Sequence, residues 1–154
     1  MIKATAKVRV AQVLAVQNTQ VVAPANTNEN TLFSFTVPAN SMGANGVLKV
    51  SYITSCTNSA NSKSVKVKLG ATTFQTSTVT TVTGVAIMTS IRNRNATNSQ
   101  MAANSAVGDT SGSVGLNTGS IDTTQDQTFS ITGTKASGAE TLALESVIVE
   151  VIPS

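Results

Sequence analysis

"SVKVKLG", residues 64–70, decides the fold class. Val65, Val67 and Leu69 alternate with Ser64, Lys66 and Lys68, a period of two that sends apolar and polar side chains to opposite faces of an extended chain. Gly70 then supplies a turn. The same period recurs along the sequence. "TLFSFTVP", residues 31–38, sets Phe33, Phe35 and Val37 on one face and Leu32, Ser34 and Thr36 on the other, and Pro38 ends the run because it cannot donate to a ladder. "GVLKVSYITS", residues 46–55, offers Leu48, Val50 and Tyr52 against Lys49 and Ser51. In "GVAIMTSIR", residues 84–92, Val85, Ile87 and Ile91 share a side, and in "QTFSITG", residues 127–133, Phe129 and Ile131 do. "AKVRVAQVLAV", residues 6–16, starts by alternating, which predicts a first strand from about residue 6. "ETLALESVIVEVIP", residues 140–153, is apolar on both sides: Ala143, Val147, Val149 and Val151 run with Glu145, while Leu142, Leu144 and Ile148 run with Glu150. That pattern predicts a strand buried on both faces or shared with a neighbouring subunit.

With the Thr-rich run "TTFQTSTVTTVT", residues 72–83, these stretches make about eight strands, joined by turn signals at Gly43, Asn45-Gly46, Asn58 to Asn61 and Gly70. No stretch carries a helical stripe. The expectation is an all-β protein: a β-sandwich of about eight antiparallel strands with jelly-roll topology, occupying residues 1–154 as one domain. Composition agrees. Thr (24), Ser (18) and Asn (13) fill places that charged residues, only 11%, leave open. Thr and Val favour strands, and Ser, Asn and Gly favour turns. Disorder would require few β-branched apolar residues and high charge, the reverse of what is found.

Two segments break the rhythm. Residues 17–30 read as a long polar connection, and residues 93–124 as a second loop, longer than compact domains carry without purpose. Within the second, Met101, Ala102, Ala103, Ala106 and Val107 suggest one helical turn, and Val114, Leu116 and Ile121 a strand covering an edge.

The residues that carry chemistry are scarce. With no His and a single Cys56 there is no imidazole base for a Ser or Cys nucleophile, no thiolate cluster, no internal disulfide and nothing to activate the thiol. Asp122 and Asp126 form a close acidic pair leading into a strand, where such residues commonly bond turn amides, and Asp109 in "VGDTSG" reads the same way. "GDTSGSVG" has neither the lysine nor the helix of a phosphate loop. No cofactor, metal or catalytic residue is expected. A net charge of +3, with four Phe, one Tyr and no Trp, offers neither a nucleic-acid groove nor a stacking platform. No apolar run approaches the roughly 20 residues of a membrane helix, and "MIKATAKVRV" lacks the apolar stretch of a signal peptide. Asn95-Ala96-Thr97 fits a glycosylation pattern, here read as a chance match.

"IRNRNATNSQ", residues 91–100, stands apart because it places Arg92 and Arg94 among Asn93, Asn95 and Asn98. If the strand continues through residue 94, both guanidiniums lie on one face and suit carboxylates of a partner. The alternative is that they solvate an edge or pair with Glu145 or Glu150. Arg92, Arg94, Asn95 and Asn98 are the candidate partner-binding residues.

In order, "TNSANSKSVKVKLGATTF", "IRNRNATNSQ", "SIDTTQDQTFSITG" and "ETLALESVIVEVIP" resemble small virion proteins of tailed bacteriophages, over about residues 46–152. That resemblance implies a jelly roll that either decorates a capsid as a cement protein or forms a receptor-binding module at the tail, and it carries no catalytic residues. A first strand beginning near residue 6, with no anchor ahead of it, favours the decoration role. The expectations are then a non-enzymatic structural protein at the virion's capsid surface, made in the host cytoplasm, with the major capsid protein and further copies of itself, as trimer or dimer, for partners. The second expectation is a receptor-binding or tail-tip module recognising a host glycan or protein.

Overall fold

The computed structural model describes residues 9–105, 107–109 and 114–154. Eleven strands make two sheets: β1 (Gln12–Gln17), β2 (Val21–Val22), β3 (Asn30–Val37), β4 (Val47–Cys56), β5 (Lys63–Leu69), β6 (Thr72–Val79), β7 (Gly84–Asn93), β8 (Gln100–Asn104), β9 (Gly115–Gly119), β10 (Gln127–Lys135) and β11 (Leu142–Ile152). The wide sheet runs β1-β11-β4-β7-β8-β9, with β2 also pairing β11, and the narrow sheet runs β3-β10-β5-β6. Every pairing between named strands is antiparallel.

Four of those pairings are nested in sequence: β5 with β6, β4 with β7, β3 with β10 and β1 with β11. The chain is one long ribbon doubled back at the turn after Leu69, where Gly70 adopts φ +55°, and rolled into two layers. If β2, β8 and β9 are set aside and the remaining eight strands numbered in order, the sheets read 1-8-3-6 and 2-7-4-5, the double Greek key of a jelly roll. The three extra strands lie inside the two segments expected to be loops. β2 falls within residues 17–30, and the β8–β9 hairpin, within 93–124, widens the larger sheet. Met101 to Ala103 are extended in β8 rather than helical, because they pair with Leu116 to Thr118 of β9; Ala106 lies outside the described residues. The first strand starts at Gln12, six residues later than the alternation suggested; residues 1–8 lie outside the described residues, and Arg9 to Ala11 have no strand partner.

The inward residues follow the alternation. Leu48, Val50 and Tyr52 of β4, Val65, Val67 and Leu69 of β5, Ile87 and Ile91 of β7, and Phe129 and Ile131 of β10 are all buried between the sheets. Phe33, Phe35 and Phe129 pack with ring centroids 5.4–6.3 Å apart, within the range of favourable aromatic contacts. Gly133 faces the same layer, and a methyl group there would come within 2.9 Å of both Leu32 and Leu142, so the missing side chain makes room for two leucines. Tyr52 donates its hydroxyl to Gln75 Oε1 (2.9 Å), whose amide donates to Ser105 O (2.9 Å), a polar thread through an apolar layer.

Bulges interrupt the alternation at Leu14 of β1, Leu32 of β3, Phe74 of β6 and Glu145 of β11, and two of them redirect large core residues. In β3 the register against β10 shifts at Leu32, which turns inward although it shares parity with exposed Ser34 and Thr36. In β11 the register against β4 shifts at Glu145, so Leu142 and Leu144 face the same layer as Val147, Val149 and Val151. A bulge puts two residues opposite one and changes the phase of everything beyond it. The doubly apolar appearance of β11 is this phase change; beyond the bulge its outer positions are Ser146, exposed Ile148 and Glu150.

Ile131, fully buried with Val67 and Phe33 as cross-strand neighbours, tests the core directly. Ile131→Ala is expected to lower unfolding free energy by about 2–5 kcal/mol, and Ser34→Ala on the outer face of the same sheet by less than about 0.5 kcal/mol, read from urea midpoints at constant slope.

Candidate interaction surfaces

The two sheets present different outer faces. On the narrow sheet the outward positions form rows of Thr36 and Thr128; Ser34, Ser130 and Lys68; Thr132, Lys66 and Thr76; and Thr134, Ser64 and Thr78. Glu29 sits across this polar face, bound to Lys66 Nζ (2.6 Å), Lys68 Nζ (2.7 Å) and Thr132 Oγ1 (2.9 Å). The lysine and threonine donors hold its carboxyl down to about 2.

On the wide sheet the outward rows are Val13, Glu150, Lys49 and Ser90; then Val16, Ile148, Ser51 and Met88; then Ser146, Ile53 and Ala86. Five of these are large apolar side chains left open: Val13 at 58%, Val16 at 54%, Ile53 at 47%, Met88 at 56% and Ile148 at 41% exposure. Single exposed apolar residues are ordinary, but five on adjoining strands form a patch. A hollow of about 80 Å³ opens beside them, lined in part by Lys49, Ser51, Met88, Ser90, Asp109 and Glu150.

Asp109 forms one wall of that hollow. Its backbone amide donates to Met88 O (2.8 Å), and its carboxylate accepts from Arg92 Nη2 (3.1 Å) and from the Ser90 hydroxyl. Arg92 is thereby paired, with Asp109 rather than with Glu145 or Glu150. The turn amides that Asp109 was expected to bond, at residues 110–113, lie outside the described residues. Glu145 takes Gln20 Nε2 (2.8 Å) and the Ser55 hydroxyl instead, which lowers its pKa.

The strand ends at Asn93, so the two-residue spacing does not carry Arg94 onto the face of Arg92. Arg94, Asn95 and Asn98 stand exposed on the turn between β7 and β8, closed by Arg94 N donating to Ser99 O (2.8 Å). Asn95 holds a left-handed backbone, φ +54°, and exchanges bonds with Asn45: its amide donates to Asn45 Oδ1 (3.1 Å) and Asn45 Nδ2 donates to Asn95 Oδ1 (3.4 Å). Behind the turn lies a buried polar hub. Gln100 Nε2 donates to Asn93 Oδ1 (2.9 Å) and Ile121 O (2.9 Å), Gln100 Oε1 accepts from Ile121 N (2.8 Å), and Asn93 Nδ2 donates to Gly43 O (2.6 Å) and Thr123 Oγ1 (3.0 Å). Each of these groups would be costly to bury unpaired, so the hub fixes the turn that displays Arg94, Asn95 and Asn98. Asp122 and Asp126, at the same end, bond turn amides as expected: Asp122 Oδ1 accepts from Thr124 N (3.0 Å), and Asp126 Oδ1 from Ala39 N (2.8 Å).

At the opposite end two lysines are buried. Lys63 and Lys135 are cross-strand partners on β5 and β10, both of inward parity. Lys63 Nζ donates to Thr57 O (2.7 Å) and lies 3.1 Å from Glu140 Oε2, while Lys135 Nζ donates to Glu140 O (2.8 Å). Ser59 and Asn61 also donate to the Glu140 carboxylate, which these bonds and Lys63 hold down to about 2. The cluster ties the β4–β5 connection to the β10–β11 connection. The Cys56 thiol, half-buried nearby, donates to Val82 O (3.3 Å), and burial pushes its pKa up. Among the described residues no group of three or more His, Cys, Asp or Glu gathers as metal ligands, and no helix is long and apolar enough to cross a membrane.

No protein-family model and no curated protein matches the chain. One solved structure, titled "Structure of infectious bursal disease virus Gx strain", is similar over 94% of this chain at 11% identity and a TM-score of 0.29. The chain spans 40% of the length of that neighbour. A likeness at that score carries no functional weight.

The Glu140 cluster predicts an acid limb. Its carboxyl is depressed from 4.5 to about 2 in the folded chain, so its contribution to stability is complete above pH 4.5 and disappears as pH falls toward 2. Glu140→Gln is expected to lower the melting temperature at pH 7 and to flatten its decline between pH 4.5 and 2, compared with wild type in the same buffers.

Proposed function

We propose that the protein is a non-enzymatic structural component of a phage virion, a decoration protein that binds and stabilises the shell of the major capsid protein. The observation that carries this reading is the outer face of the wide sheet, where Val13, Val16, Ile53, Met88 and Ile148 stay open to solvent. A chain that leaves five large apolar side chains together on a rigid sheet is suited to having them covered by protein. The rest of the surface supports the same reading. Arg94, Asn95 and Asn98 project from a turn braced by buried amides, which lowers the ordering cost of docking against a polar partner. The carboxylates described above are engaged in structural bonds: Glu29, Asp109, Asp122, Asp126, Glu140 and Glu145 each accept from side chains or turn amides.

A decoration protein works by mass action: a subunit that binds only the assembled shell adds its binding free energy to the assembled state. Many copies multiply a modest contact. Cosedimentation of the purified chain with undecorated shells of its own phage checks this. Saturable binding at many copies per shell is expected, together with a higher shell disruption temperature. Arg94→Ala combined with Asn98→Ala is expected to weaken binding by about 1 kcal/mol or more without changing the melting temperature of the free protein. No binding to shells, or a few copies located at the tail, would replace this reading with a receptor-binding module.

A further inference from the structure

The wide sheet's outer face is electrically self-complementary, and from this we infer that it is the interface between two copies of the chain. The inference deepens the reading above, which rests on the same face, by giving that face to a second copy and leaving the 94–99 turn for the shell; self-association and shell binding are measured separately. Glu150 and Lys49 are direct neighbours across the β11–β4 ladder, near the middle of the patch. Among the described residues this face also carries Arg92 and Asp109, which pair with each other, and Glu145, which is held by Ser55 and Gln20. At the centre of the patch a positive and a negative group therefore lie side by side, so a two-fold axis between them sets each against its opposite on the other copy.

The ladder registers define the arrangement. β1, β11, β4 and β7 are consecutive strands, so a two-fold axis lying along the strands between β11 and β4 superposes β11 of one copy on β4 of the other and β1 on β7. Residues in one row then meet residues of the same row. Glu150 faces the partner's Lys49, and Lys49 faces the partner's Glu150, giving two ion pairs across the interface. Met88 faces the partner's Val16, and Val16 the partner's Met88. Ser90, at the rim of the hollow, faces the partner's Val13, whose side chain enters it. Ile148 and Ile53 meet diagonally about the axis. The two sheets pack face to face with strands aligned, one of the two stable ways for sheets to stack. Four strands spaced about 4.8 Å and a ten-residue β4 give a contact of roughly 600 Å² per copy. That is below the roughly 800 Å² per partner of a standard interface, so the dimer is concentration-dependent, with a dissociation constant between about 1 μM and 1 mM.

Sedimentation of the full chain across that concentration range, on wild type and three samples, tests the pairing. Lys49→Glu alone and Glu150→Lys alone each place like charges across the interface, and each is expected to weaken self-association by about tenfold or more. An equimolar mixture of the two variants is expected to restore association. In that mixture each copy keeps its own like-charged neighbours on β11 and β4, so recovery has to come from pairing between copies. Circular dichroism and melting curves establish that both variants fold; if either does not, Met88→Glu and Val16→Lys, separately and mixed, ask the same question at the second contact. A wild-type chain that stays monomeric to about 1 mM, single variants that associate like wild type, or a mixture that stays monomeric would each overturn the inference.

Discussion

The dry layer between the two sheets sets the terms for every residue whose side chain points into it. Because strand side chains alternate, one residue in two along β4, β5, β7, β10 and β11 has to enter that layer whatever its chemistry. Most are Val, Ile, Leu or Phe. The Thr89 hydroxyl has no partner among the described residues, but at several other inward polar positions the structure supplies partners: Gln75 bridges Tyr52 to Ser105, Gln100 binds Asn93 and Ile121, and Lys63 and Lys135 close on Glu140 and nearby carbonyls. These polar ties sit where the strands run into their connections, so the interlayer that holds the sandwich together also fixes its loops. The turn bearing Arg94, Asn95 and Asn98 is rigid for that reason.

Local alternation made the sheets legible, and long-range register did not. Val65, Val67 and Leu69 could be read inward from residues 64–70 alone, as could Leu48, Val50 and Tyr52. The bulges at Leu32 and Glu145 could not, because a bulge is defined by two residues opposing one on another strand, and the partner is remote in sequence. The β8–β9 hairpin was hidden for a related reason: small residues such as Ala102, Ala103, Gly115 and Gly119 carry little strand signal, and their pairing comes from the edge they extend. Lys63 and Lys135 were available from parity, each lying two residues beyond an inward position, but a lysine is usually placed in solvent and its partner Glu140 is 77 residues from Lys63. Of the candidate site, the cluster at residues 92–98 was visible as composition. Its division, with Arg92 bound to Asp109 and Arg94, Asn95 and Asn98 exposed on a turn, depended on where β7 stops.

Burial and charge divide the outer surface as well. A sheet with one wet face normally alternates apolar with polar, and the narrow sheet does so completely with Ser, Thr and Lys. The wide sheet follows the rule at Lys49, Ser51 and Glu150 and breaks it at Val13, Val16, Ile53, Met88 and Ile148. Both sheets belong to the same small chain, so general composition cannot account for the difference. The apolar outward residues reside on the strands that wrap the ribbon's two ends, β1 and β11, and on β4 and β7 beside them.

The free edges are built in a way that favours a face over an edge for the association inferred above. An open edge strand offers unpaired amides and carbonyls to any extended chain, and proteins blunt it with short strands, bulges or covering groups. Here β1 has six residues and a register shift at Leu14; β3 shifts at Leu32; β6 shifts at Phe74, and Asn117 from β9 donates its amide to Phe74 O (3.2 Å). β9 itself has five residues with glycine at both ends. The edges are interrupted or occupied, while the face spanned by β1, β11, β4 and β7 is continuous, with ten- and eleven-residue strands at its centre. A partner that reads main-chain groups finds little ladder to extend, whereas one that presents a flat apolar sheet finds a matching surface. Covering that face leaves the two ends of the sandwich open, with the 94–99 turn at one and the lysine cluster at the other.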